Sequence, residues 1–145
     1  VDFSIRVDAD ATDSVASWLG ETGSAQGVPA DPLWRLDLCV TEVLANVVQH
    51  GGAGIASSPI GLHLELRRSA GGGEAVVTVS DTGIAFDPLS VPARPRPRTL
   101  AEAEPGGQGL PLLRRFSDAL DYRYSEGRNH LTIHVRWTEG GEGAL

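Results

Sequence analysis

Glu42 and Asn46 stand one helical turn apart in the run "TEVLANVVQHG" at 41–51, and this pair is the first place where side-chain types and spacing could do chemistry. A carboxylate can take a proton from an attacking nucleophile, and a neutral amide oxygen can ligate a hard cation that bridges phosphates. At about 100° per residue, Leu33, Leu36, Val40, Val43 and Val47 form a core stripe, while Glu42 and Asn46 share a separate strip with Arg35 and Gln49. With those polar neighbours, the strip reads equally well as a solvated helix face. His50 extends it by a turn and is read as a C-terminal residue favoured by the helix dipole rather than as a base.

Two further places carry chemistry-bearing residues. Asp81 closes the run "AVVTVSD" and, by the period of two, points the same way as Val77 and Val79. A carboxylate on that face needs a donor, and the bland alternative is a strand-end Asp that caps the next turn. Gly106, Gly107 and Gly109 precede the run "LPLLRRFSD". Glycines there let backbone N–H groups approach a phosphate at a helix start, although a flexible connector explains them too.

The elements that must position these residues follow from periodicity. "DFSIRV" alternates as a half-buried strand, and Asp10 opens a helix carrying Val15, Trp18 and Leu19, its end weakened by Gly20, Gly23 and Gly27. Asp31 as N-cap and Pro32 in the first turn open the helix that carries Glu42, and "HGGAG" closes it near residue 50. "IGLHLELRR" and "AVVTVSD" form a hairpin around "AGGGE", and "ALDYRYSEGRNHLTIHVRW" forms a second around Glu126-Gly127. Between them, the stretch from Phe86 to Gly109 holds five prolines and three arginines without hydrophobic period, so it reads as a loop with a use. A short helix with Leu110, Leu113 and Phe116 on one side follows it. The expected fold is α+β: a single mixed, mostly antiparallel sheet covered on one face by about three helices. That order excludes a doubly wound dinucleotide fold. One domain over 1–137 and a disordered tail over 138–145 complete the expected organisation.

Composition removes several classes of function. The chain of 145 residues has a net charge of −7 and no lysine, which speaks against a general nucleic-acid footprint. Its longest apolar segment is broken by Arg35, Asp37, Glu42 and Asn46, so no membrane span is expected and the chain reads as cytoplasmic. Cys39, the one cysteine, sits on a helix expected to be buried and reads as a small apolar side chain. The four histidines show no zinc-ligand spacing.

Taken in order, these motifs resemble those of the GHKL (histidine kinase-like) ATPase superfamily, and within it the bacterial anti-sigma-factor serine/threonine kinases. "TEVLANVVQHG" resembles the N box, "VSDTGIAFDP" the first glycine box and "PGGQGLPLLRRFSD" the second, with coverage of roughly residues 3–137. The resemblance implies that Asn46 ligates Mg²⁺ on the ATP phosphates and that Glu42 is the general base. It implies that Asp81 receives the adenine amine and that Gly83 lets the backbone pass close to the base. Gly106, Gly107 and Gly109 would bring backbone donors to the phosphates, with Leu110 at the helix start and 87–107 as the ATP lid. The implied partners are a STAS-type anti-sigma-factor antagonist as substrate and a sigma factor as bound protein, with homodimers common among the relatives.

Two departures from the family pattern stand out. Ala85 occupies the place of a second glycine in the first glycine box, and Thr132, the candidate for a late-strand threonine near adenine, falls on the face opposite Leu131 and Ile133. Two alternatives to the kinase remain: an ATP-gated partner-binding module without catalysis, and the ATP-binding domain of a sensor histidine kinase. The presence of Glu42 weighs against the first, because binding alone needs no base.

Overall fold

Alternation of apolar and polar side chains builds the sheet. The computed structural model describes residues 1–6, 10–50, 59–90 and 109–138. Five strands, β1 (Asp2–Ile5), β2 (Ile60–Ser69), β3 (Gly72–Asp81), β4 (Ala119–Ser125) and β5 (Arg128–Thr138), form one sheet in the order β1-β2-β3-β5-β4. All four pairings are antiparallel, so the expected sheet is found without the parallel pair that "mixed" would require among the described residues. Two tight turns enforce this: Ser69 pairs with Gly72 across Ala70-Gly71, and Ser125 pairs with Arg128 across Glu126-Gly127. Glu126 and Gly127 both have positive φ, 53° and 74°, which suits the right-handed twist of a two-residue hairpin.

Three α-helices among the described residues, α1 (Ala11–Ala25), α2 (Ala30–His50) and α3 (Gly109–Phe116), accompany the sheet. One core joins Leu62 and Leu64 of β2, Val77 and Val79 of β3, and Leu131 and Ile133 of β5 to Leu36, Val40 and Val43 of α2, with Leu19 of α1 and Leu113 of α3. Each fully buried aliphatic side chain of this kind contributes about 1.5–3 kcal/mol by leaving water. Cys39 lies in this core, and burial pushes its thiol pKa up to about 11 against the opposing charge of Arg35. It is an apolar packing residue, as expected. No helix among the described residues is long and apolar enough to cross a membrane.

Several boundaries differ from the sequence reading. α1 runs through Gly20 and Gly23 to Ala25 because Gly23 is a packing position: a Cβ there would lie 2.6 Å from Leu33 Cδ1 of α2. Gly27, at φ +83°, provides the left-handed residue beyond the helix end. Asp10 is the N-cap of α1 but makes no side-chain capping bond. α2 begins at Ala30, so Asp31 is not its N-cap; it lies in the first turn, 3.2 Å from Arg35. In the segment expected as lid, Pro88–Ser90 form a 3₁₀ turn in which the Leu89 N–H donates to Asp87 Oδ1 (2.8 Å), and Leu89 packs on the core. The remainder of that segment, 91–108, lies outside the described residues. Thr138, expected to open the tail, is the last residue of β5, and 139–145 lie outside the described residues.

Candidate active site

Asp81 ends β3, and its register partner on β5 is Asn129. Both point into the helix-covered side and are nearly closed to solvent, at 5% and 7% exposure. Two polar side chains in such a place require partners. Asn129 Nδ2 donates to Asp81 Oδ1 (3.0 Å) and to the carbonyls of Ile84 (3.0 Å) and Gly83 (3.3 Å). Its Oδ1 accepts from the Phe86 N–H (3.1 Å) and from the Tyr122 hydroxyl. Burial, only partly opposed by the nearby Phe86 backbone, raises the Tyr122 pKa, so its hydroxyl remains a neutral donor. Asp81 Oδ1 also accepts the Gly83 N–H (2.8 Å), the turn cap that the sequence allowed. Capping a turn and facing a cavity are both true of Asp81.

That cavity lies between α2 and the sheet. Its volume is about 390 Å³ including its open mouth, and Val43, Val47, Val79 and Leu131 line it with Asn46, Asp81, Tyr122 and Asn129. His50 and Phe86 also line it, stacked on each other at 4.1 Å between centroids and 18° between planes. Mostly apolar walls with a few polar groups suit a flat heteroaromatic ring that carries hydrogen-bonding edges. Among the predicted site residues, Asn46 and Asp81 therefore border one space, and Gly83 sits in the turn that Asp81 and Asn129 hold. Glu42, one turn before Asn46 on α2, is half-buried and does not line the cavity. Its Oε2 is enclosed and has no hydrogen-bond partner among the described residues. Gly109 and Leu110 open α3, whereas Gly106 and Gly107 lie outside the described residues.

These residues fit a magnesium nucleotide. Mg²⁺ keeps most of its waters and takes one or two protein oxygens plus phosphates, so a single amide such as Asn46 suffices on the protein side. Arg35, placed by spacing on the strip of Glu42, is engaged elsewhere: its guanidinium donates to Asp31, Asp118 (3.5 Å) and the Arg136 carbonyl (2.8 Å). Thr132 lies on the uncovered face of the sheet, where its hydroxyl meets that of Thr78 at 3.1 Å.

Asn129, Tyr122 and Phe86 escaped the sequence reading. The signal for Asn129 was present: the inward alternation of Leu131, Ile133 and Val135, continued back one step, puts an amide on the buried face. The stack of His50 on Phe86 joins residues far apart in the chain and has no local signature.

Residues 5–135 match the family described as the histidine kinase-like ATPase domain. The chain belongs to that family. It is 37% identical over 131 residues to Serine/threonine-protein kinase BtrW of Bordetella bronchiseptica, covering 90% of this chain and 89% of that protein. Two solved structures share the histidine kinase-like fold. The crystal structure of the RsbU and RsbW domains of a Mycobacterium tuberculosis protein has a TM-score of 0.60 at 15% identity, covering 93% of this chain. The present chain spans about a third of that longer one, 32%. The SiaB-SiaC complex of Pseudomonas aeruginosa has a TM-score of 0.55 at 12% identity, covering 94% of this chain and 89% of that one. Within the histidine kinase-like ATPase family, this chain thus groups with a serine/threonine protein kinase over nearly its full length.

Proposed function

We propose that the chain is an ATP-dependent serine/threonine protein kinase that acts as an anti-sigma factor, phosphorylating a STAS-type antagonist and holding a sigma factor. The observation that carries this reading is Glu42, whose enclosed carboxylate oxygen has no partner among the described residues and which lies one turn from an amide bordering the cavity. ATP enters as substrate, its adenine amine donating to Asp81. Bound Mg²⁺, held by Asn46 and the phosphates, would neutralise charge on the transferring group. Glu42 takes the proton of the antagonist's serine or threonine hydroxyl. The hydroxyl oxygen bonds to the γ-phosphorus, the bond to the β–γ bridging oxygen breaks, and its electron pair leaves with ADP. In this reading Gly106, Gly107 and Gly109 supply backbone donors to the phosphates, and Gly109 and Leu110 open α3.

Calorimetric titration of ATP with and without Mg²⁺, on the native chain and on Asn46→Ala and Glu42→Ala, tests the site. The expected pattern is Mg-dependent binding that is weakened by Asn46→Ala and survives Glu42→Ala, with phosphotransfer to an antagonist lost in both. A native chain that binds no nucleotide ends the proposal. Binding without phosphotransfer to any antagonist reduces it to a nucleotide-gated partner-binding module.

A further inference from the structure

We infer that Asn129 is the positioning residue that makes this site selective for a base carrying an exocyclic amine; the inference rests on the ATP reading above. The side chain has no hydrogen-bonding capacity left for a ligand. An Asn amide offers two N–H donors and one oxygen with two lone pairs. Here the two N–H groups face three acceptors, Asp81 Oδ1 and the carbonyls of Gly83 and Ile84. Both lone pairs of its oxygen are taken, by the Phe86 N–H and the Tyr122 hydroxyl. Its orientation is also determined, since a flipped amide would set its oxygen against three other oxygens. Asn129 therefore acts through what it holds.

It holds two things. The first is the Asp81 carboxylate, whose Oδ1 takes one N–H from Asn129 and one from Gly83. These two donors, one from the strand partner and one from the following turn, fix where the carboxylate stands beside the cavity. A carboxylate held in place there accepts a hydrogen bond from an amino group on the base, which a base lacking that group cannot donate. The second is the 83–86 turn, joined to Asn129 at Gly83, Ile84 and Phe86, so the Phe86 ring beside the cavity is set by the same amide. The amide supplies donors to one side and an acceptor to the other from this strand position. Asp would turn oxygens toward Asp81 and both carbonyls, and Leu would take a hydrogen-bond partner from all five groups.

The test compares ATP with purine riboside triphosphate, which lacks only the 6-amino group, by calorimetry on the native chain, Asn129→Ala and Asn129→Ser. Melting curves identify the folded variants, and the serine variant serves if the alanine variant does not fold. The native chain is expected to prefer ATP by about tenfold or more, the effect of one hydrogen bond to a charged group. In the variants the preference is expected to fall below about threefold, while affinity for the amine-free analogue changes little. A folded variant that loses affinity for both nucleotides yet keeps the native preference would show Asn129 to be structural only and overturns the inference. A native chain that binds both nucleotides equally overturns it too, by showing that Asp81 does not read the amine. A native chain that binds neither is instead a failure of the ATP reading itself.

Discussion

Glu42→Met is expected to inactivate the kinase and stabilise the protein. The enclosed Oε2 of Glu42 has no hydrogen-bond partner among the described residues, and such a buried polar atom typically costs about 1–3 kcal/mol. Glu42 is only half-buried, so the low end of that range applies, about 1 kcal/mol. Methionine is unbranched, of similar length and equally compatible with a helix, so the change introduces neither a cavity nor strain of any size. For 145 residues, about 1 kcal/mol corresponds to a rise in Tm of about 3 °C. Thermal unfolding without nucleotide reads this term, and a phosphotransfer assay reads the other, where loss of a general base is expected to lower the rate by about 10²–10⁴-fold. Nucleotide affinity should stay within about threefold, because Glu42 does not border the cavity. A variant with lowered Tm would refute the argument, since it would mean that the carboxylate makes a stabilising contact. A variant with full phosphotransfer would remove Glu42 from the chemistry.

Other substitutions test the scaffold. Gly20→Ala in the middle of α1, where an added Cβ meets nothing within 4 Å, should stabilise by about 0.5–1 kcal/mol, read as a higher Tm. Gly72→Ala should destabilise by about 1–3 kcal/mol, because its Cβ would stand 2.1 Å from the Trp137 carbonyl oxygen, a backbone atom that moves only if β3 and β5 separate. Burial raises the Asp37 pKa above its ordinary 3.8, so stability is fully present below that value and is lost as pH rises through the raised folded pKa. Asp37→Asn should therefore melt higher than the native chain at pH 7, the gain disappearing in melts taken below the native titration range. Glu74 behaves oppositely. Burial pushes its pKa up, but the Arg136 hydrogen bond and the charges of His134 and Arg136 outweigh it and hold the carboxyl below its ordinary value. Its stabilisation is thus present above the unfolded pKa and is lost as pH falls through the folded one, a loss that Glu74→Gln should abolish in acid melts.

Residues whose role is set by near neighbours were legible in the sequence. Leu131, Ile133 and Val135 alternate strictly and lie where the period puts them; of the pair expected to share one space, Asn46 borders the cavity and Glu42 does not. Residues whose role depends on a distant segment were not. Gly23 looked like a helix end because its function, admitting Leu33, belongs to α2. Arg35 shared a strip with Glu42 by angle, yet a long side chain goes where its acceptors are, and Asp118 and the Arg136 carbonyl lie far along the chain. Asn129 is the intermediate case: its face was deducible, but its five partners come from β3, β4 and the turn after Asp81.

The strand order has a consequence for how the protein is made. β5 is the last described strand, yet it lies between β3 and β4, hydrogen-bonded to both. A chain emerging from the ribosome through Asp81 has every residue of the first half of the cavity and no inner neighbour for β3. Long-range pairing of this kind is slow because the loop between the strands must close before the contacts reward it. Of the two donors to Asp81 Oδ1, Gly83 follows it at once in the chain, whereas the Asn129 amide comes only with β5. Pairing of β3 with β5 and delivery of the Asn129 amide to the cavity are therefore a single event.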